Sequence, residues 1–197
     1  MKRTTLFLTF VLLNILSVQV FGLIPSITRW NFDDAAKQAG SLPYTADEGN
    51  ANNIDIAAIT IVNASHTGYT SGNVGDAFSA NDFHEADLTE KYYVASINTS
   101  GYTNITLSYK MRGSNTGPKH FNVEYSTNGT TWNSFAGNQI TVANNWTTGV
   151  VTDLALPAAC KNQNALLIRW IADASNESVN GGTVANTGTN RIDDIVF

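Results

Sequence analysis

A single cysteine, Cys160, occurs in the 197 residues. No intramolecular disulfide can form, so stability has to come from a packed core, with or without a bound ion. Positive charge is also scarce. Eleven Lys and Arg face sixteen Asp and Glu, for a net charge of −5, and no basic run occurs. That balance excludes nucleic acid and anionic membrane surfaces as electrostatic partners. The three histidines, His66, His84 and His120, fall in different segments, none at His-x-x-x-His spacing, so no zinc motif is present. There is no Gly-x-Ser-x-Gly elbow. Asn180-Gly181-Gly182-Thr183 has no lysine and no helical pattern after it, which excludes a phosphate loop. Cys160 follows Pro157-Ala158-Ala159 without a histidine motif to activate it, so a buried thiol is expected. These absences point to a non-catalytic chain, with a hydrolase using an unrecognised carboxylate pair as the third-ranked reading.

The N-terminus sets the compartment. Lys2 and Arg3 precede an apolar run over 6–18, and Val20-Phe21-Gly22 supplies small or tolerated residues before a cut after Gly22. That order predicts a signal peptide over 1–22 and a secreted or cell-surface protein. The run is too short, and Asn14 and Gln19 too polar, for a membrane anchor, so no insertion is expected once the leader is removed. Cleavage leaves 175 residues (23–197), and the loss of two positive charges takes the net charge to −7. One domain of this size buries an ample core.

What remains reads as short strands between polar turns, with no helical periodicity beyond a single turn within 82–90. Ile105, Leu107, Tyr109 and Met111 alternate with Thr106, Ser108, Lys110 and Arg112, the period of a strand with one buried face. Phe121, Val123 and Tyr125 repeat the pattern, and the turn-rich 113–118 link suggests that the two strands form an antiparallel pair. Asn128-Gly129 reads as a type I′ hairpin turn. Further strands are expected over 29–32, 54–62, 91–97, 140–142, 147–156, 165–172 and 191–197. The expected fold is an all-β, antiparallel β-sandwich of jelly-roll type. The chain ends inside an apparent strand, which suggests a module of a longer polypeptide.

Two features are candidate sites. Asp33-Asp34 follows the first strand and Asp193-Asp194 lies in the last. Terminal strands of a jelly roll are often neighbours, so the pairs can converge on a Ca²⁺ ion, which takes six to eight oxygens; solvated turn charges are the alternative. Strand alternation would send Asp193 and Asp194 to opposite faces, leaving only one as a side-chain ligand. Among the aromatics, Trp170 lies in an apolar strand and Trp132 follows the hairpin, where it can cover the turn. Trp146, flanked by Asn and Thr, is the exposed candidate for stacking on a sugar ring.

The 91–109 stretch (Lys91-Tyr92-Tyr93 through Ser108-Tyr109), Gly113-Ser114-Asn115-Thr116-Gly117-Pro118, the Tyr125–Gly129 hairpin and Asn190-Arg191-Ile192-Asp193-Asp194-Ile195 together resemble modules of secreted, multi-modular proteins from bacteria that use type IX secretion. Phe32-Asp33 and Ile192-Asp193-Asp194-Ile195 also resemble the two ends of jelly-roll carbohydrate-binding modules. That resemblance implies a structural Ca²⁺ tying the first and last strands together, held by Asp33 and Asp194 with help from Asp34 or Asp193; it carries over no sugar-binding aromatic. The reading that results is a secreted accessory module binding polysaccharide or a cell-surface glycan, with a structural spacer or adhesin domain as the alternative.

Overall fold

The computed structural model describes residues 26–83 and 90–197. The expected leader and its cut site, His84 and most of the expected 82–90 turn lie outside the described residues. In chain order the elements are β1 (Thr28–Trp30), α1 (Ala35–Gln38), β2 (Tyr44–Thr45), β3 (Glu48–Gly49), β4 (Ala58–Val62), β5 (Ser65–Ser71), β6 (Asp76–Asn81), β7 (Tyr92–Ile97), β8 (Thr106–Gly113), β9 (His120–Ser126), β10 (Gln139–Thr141), β11 (Gly149–Ala155), a 3-10 turn (Ala158–Cys160), β12 (Leu166–Ala172) and β13 (Asn190–Val196). No described helix is long and apolar enough to cross a membrane.

The strands form two antiparallel sheets packed as a sandwich. One has the order β11-β8-β13-β1-β3, with β6 also paired to β13 and β5 to β6; the other has the order β10-β9-β12-β7-β4-β2. Each sheet sends one set of alternating side chains inward, and these meet in one core. Trp30, Phe78, Tyr93, Tyr109, Phe121 and Trp170 are fully or almost fully buried. The Tyr109 and Trp170 rings, from opposite sheets, meet edge-on at 5.6 Å. Each such burial contributes about 2–3 kcal/mol, which replaces the missing disulfides.

The terminal strands are neighbours, as expected: Arg29 pairs with Val196 and Trp30 with Ile195. Three local expectations need correction. β8 and β9 do not pair, because β8 lies between β11 and β13 in one sheet and β9 between β10 and β12 in the other. The 113–118 link crosses between the sheets and is knitted to a later loop instead: Ser114 N donates to Thr189 O, and Val179 N to Gly117 O. Asn128-Gly129 is not a type I′ turn, since Gly129 has positive φ but Asn128 does not. A wider loop forms, closed by the Tyr125–Asn133 bridge and filled by Asn128 Oδ1 accepting from Thr130 N and Thr131 N at 3.0 and 2.8 Å. Finally, 54–57 is turn, and β4 begins at Ala58.

Candidate functional site

The acidic pairs do approach one another, but through a bulge. The pairing of β13 with β8 shifts between Asp193 and Val196, and Asp194 takes φ 49°. The extra residue breaks the alternation, so Ile192 and Asp193 are both fully buried. The tip of the β5–β6 hairpin closes over Asp193: Asn73 N donates to Asp193 Oδ2 at 2.7 Å, and Asp194 N to its Oδ1 at 2.7 Å. Asp33 Oδ1 accepts from Asp76 N at 2.8 Å on the same hairpin. Gly72 and Gly75 are required there, because a Cβ would run into Asp193 Oδ2 at the first and the Asp33 carboxylate at the second. Burial, joined by the charges of Asp194 and Asp33, pushes the Asp193 carboxyl up to about 7 against two backbone N–H donors that favour its ionised form.

The other two carboxylates have further partners. Asp34 caps α1 by accepting from Ala36 N and Lys37 N at 2.9 and 3.3 Å. Asp194 accepts from Lys110 at 2.9 Å and lies 3.6 Å from Arg29. Among the described residues, no three or more His, Cys, Asp or Glu side chains form a ready-made metal cage.

The outward face of the six-stranded sheet holds a second cluster, assembled by strand register. Across β9, β12, β7 and β4 one row reads Glu124, Arg169, Val94 and Thr60; the next reads Asn122, Ile171, Tyr92 and Val62. Arg169 is only 4% exposed. Its Nε donates to Glu124 at 2.8 Å and its Nη1 to Glu90 at 2.6 Å. Its guanidinium lies 4.5 Å from the Trp132 ring centroid and 5.0 Å from that of Tyr92, a cation–π arrangement. Beside it runs an open cleft of about 400 Å³ lined by Glu90, Asn122, Glu124, Arg169, Ile171 and Asp173, among others. Asn122 donates to Asp173 at 3.1 Å. Half-buried aromatic edges beside carboxylates, an amide and a fixed guanidinium suit a polyhydroxylated ligand, whose C–H faces stack while its hydroxyls donate and accept.

Trp146 lies elsewhere. It is half-buried in the turn before β11, where Asn145 Oδ1 accepts from Thr147 N and Thr148 N at 2.9 and 2.8 Å. It does not contact Arg169; Trp132 does, 4.5 Å from the guanidinium, although neither tryptophan is in the wall of the cleft itself. The Trp132 cluster escaped sequence reasoning because its members come from four segments far apart in the chain. The one readable signal was an arginine at 169 inside an otherwise apolar strand.

The thiol and the His66 imidazole are both muted. Cys160 is fully buried, as expected, and burial pushes its thiol up to about 12, far from a reactive thiolate. Burial also holds His66 below its ordinary pKa.

No protein-family model matches the chain, and no curated protein matches it. Among solved structures it is similar to a family 11 carbohydrate-binding module from Clostridium thermocellum in complex with a β-1,3-1,4-mixed-linked tetrasaccharide (14% identity, 87% of this chain and 95% of that one, TM-score 0.44). It is also similar to a CBM4 structure (15% identity, 70% and 84%, TM-score 0.43). A third likeness is to the K3 cleaved adhesin domain of Lys-gingipain from Porphyromonas gingivalis (11% identity, 70% and 89%, TM-score 0.34). At scores this low the likeness assigns neither a ligand nor a site to this chain.

Proposed function

We propose that this chain is an exported, non-catalytic binding module that takes a glycan along the outward face of the six-stranded sheet. The observation that supports it most is Arg169, held by Glu90 and Glu124 against Trp132 and Tyr92 at the side of an open polar cleft. Pinning the arginine on both carboxylates fixes the aromatic rings before any ligand arrives, which lowers the entropic cost of binding. A glycan array, followed by affinity electrophoresis with the retained polysaccharides, tests the reading; Trp132→Ala and Trp146→Ala separate the sheet face from the β11 turn. Retention of no glycan by the folded protein leaves a spacer or adhesin role. Export is checked by N-terminal sequencing of the secreted protein, with Leu23 expected as the first residue.

We also propose a structural Ca²⁺ beside the β5–β6 hairpin, with Asp33 and Asp193 as the side-chain ligands. Asp193 is buried next to two further carboxylates, a setting that a cation relieves. Its Oδ2 and the Asp76 carbonyl oxygen both lie beside Gly72, so a backbone oxygen is at hand to extend the shell. Asp194 and Asp34, with their ion pairs and cap, serve the neighbourhood without supplying the central ligand.

A further inference from the structure

The outward face of the seven-stranded sheet carries four cations on β1, β8 and β13, and they divide into two kinds. Arg29 is paired with Glu48 at 3.2 Å, and Lys110 with Asp194 at 2.9 Å. Arg112 and Arg191 sit directly opposite one another on β8 and β13. Like charges in that position repel, yet neither is joined to a carboxylate among the described residues. Arg112 gives Nε and Nη2 to a neutral acceptor, Asn144 Oδ1, at 3.0 and 2.7 Å. Arg191 gives Nη1 to the Ser71 carbonyl at 3.1 Å. Burial, and then the charge of Arg112, pull the Arg191 guanidinium below its ordinary pKa.

Between the two arginines lies a cleft of about 230 Å³ lined by Arg112, Ser114, Asn144, Thr189 and Arg191, with no acidic residue in its wall. Both guanidiniums are half-buried there and held by their neutral partners. The Ser114 hydroxyl oxygen accepts from Thr189 N at 2.9 Å, which leaves its proton for another acceptor. Arg112 Nη1 and Arg191 Nε and Nη2 complete a set of donors with no anion to receive them. Paired guanidinium forks match the two or three oxygens of a carboxylate or sulfate.

We propose that Arg112 and Arg191 form a second binding site, on the sheet opposite the cleft beside Arg169, for an oxyanion carried by a glycan: a uronate carboxylate or a sulfate ester. Only the identity of the carrier rests on the glycan reading; the anion site stands on the unneutralised arginine pair. The ligand supplies the counter-charge that Asp194 and Glu48 give the neighbouring cations.

The test is binding at low ionic strength to polygalacturonate, to a sulfated galactan and to a neutral β-glucan, using the whole protein, Arg112→Gln, Arg191→Gln, and Arg29→Gln as a control on the same face. Both site variants relieve a repulsion, so they should melt no lower than the parent. One acidic polysaccharide should bind, lose affinity about tenfold or more with either site variant, weaken with added salt, and be little changed by Arg29→Gln. Neutral β-glucan binding should be unaffected by Arg112→Gln or Arg191→Gln, so failure of the Trp132 site is distinguishable from failure of this one. Binding of neither acidic polysaccharide, equal binding by the folded site variants, or a response to inorganic sulfate alone overturns the proposal.

Discussion

The Arg169 guanidinium lies 4.5 Å from the centre of the Trp132 ring, although the two residues come from different segments and face outward from the core. Glu124, the register partner of Arg169 on β9, holds the guanidinium in that position. Arg169 therefore has two roles, closing a small charged network and setting the orientation of the aromatic edge.

Removing that arginine should cost stability as well as binding. Arg169→Ala leaves Glu124, whose side chain is 17% exposed, beside Glu90 without a cation. A loss of about 2–3 kcal/mol is expected by chemical denaturation, since truncating a buried partner costs more than breaking a surface pair. Arg169→Lys should recover only part, because an ammonium cannot bridge both carboxylates in one plane. A variant as stable as the parent would show that the network is incidental.

For the proposed Ca²⁺, an ion that binds only the folded state stabilises it by about 2.7 kcal/mol at one hundred times Kd. In a domain of this size that moves Tm by about 5–10 °C. Differential scanning calorimetry with and without chelator should show this drop, and Asp193→Asn and Asp33→Ala should each erase it. An unchanged Tm after verified metal removal would return these carboxylates to a purely local role.

His66 supplies a pH dependence of known sign. Its ring packs 4.5 Å from Phe78 and 5.0 Å from Tyr69, and its buried Nε2 has no hydrogen-bond partner among the described residues. Its folded-state pKa is thus depressed by burial. The unfolded chain binds the proton more readily, so this contribution is present above about pH 6.5 and is lost as pH falls. Tm should fall more steeply between pH 7.5 and 5.5 in the parent than in His66→Phe. Parallel curves would remove His66 from the linkage.

Much of the fold was legible because alternation is local. Ile105 through Arg112 shows which side chains face inward, and burial along β8 follows it. What failed depended on residues distant in sequence. The β8–β9 link reads as a hairpin until Thr189 and Val179 claim its backbone groups. β5 was missed because Ser65–Ser71 has little apolar alternation and is bulged between His66 and Gly68. The convergence of the two ends was readable from jelly-roll topology, but the bulge that buries Asp193 was not. Its signal was Asp194, one of the short polar residues that tolerate positive φ. Trp132 looked like a cover for its own turn; its partners Arg169 and Tyr92 come into view only once β7, β9 and β12 are in register.

The most direct test of the account is affinity electrophoresis of the parent, Trp132→Ala and Trp146→Ala on polysaccharides retained in a glycan screen, with melting curves confirming that each is folded. The account predicts that Trp132→Ala weakens retention about tenfold or more, while Trp146→Ala leaves it near the parent value. Retention unchanged by Trp132→Ala, or lost in Trp146→Ala alone, would contradict placement of the glycan on the six-stranded sheet.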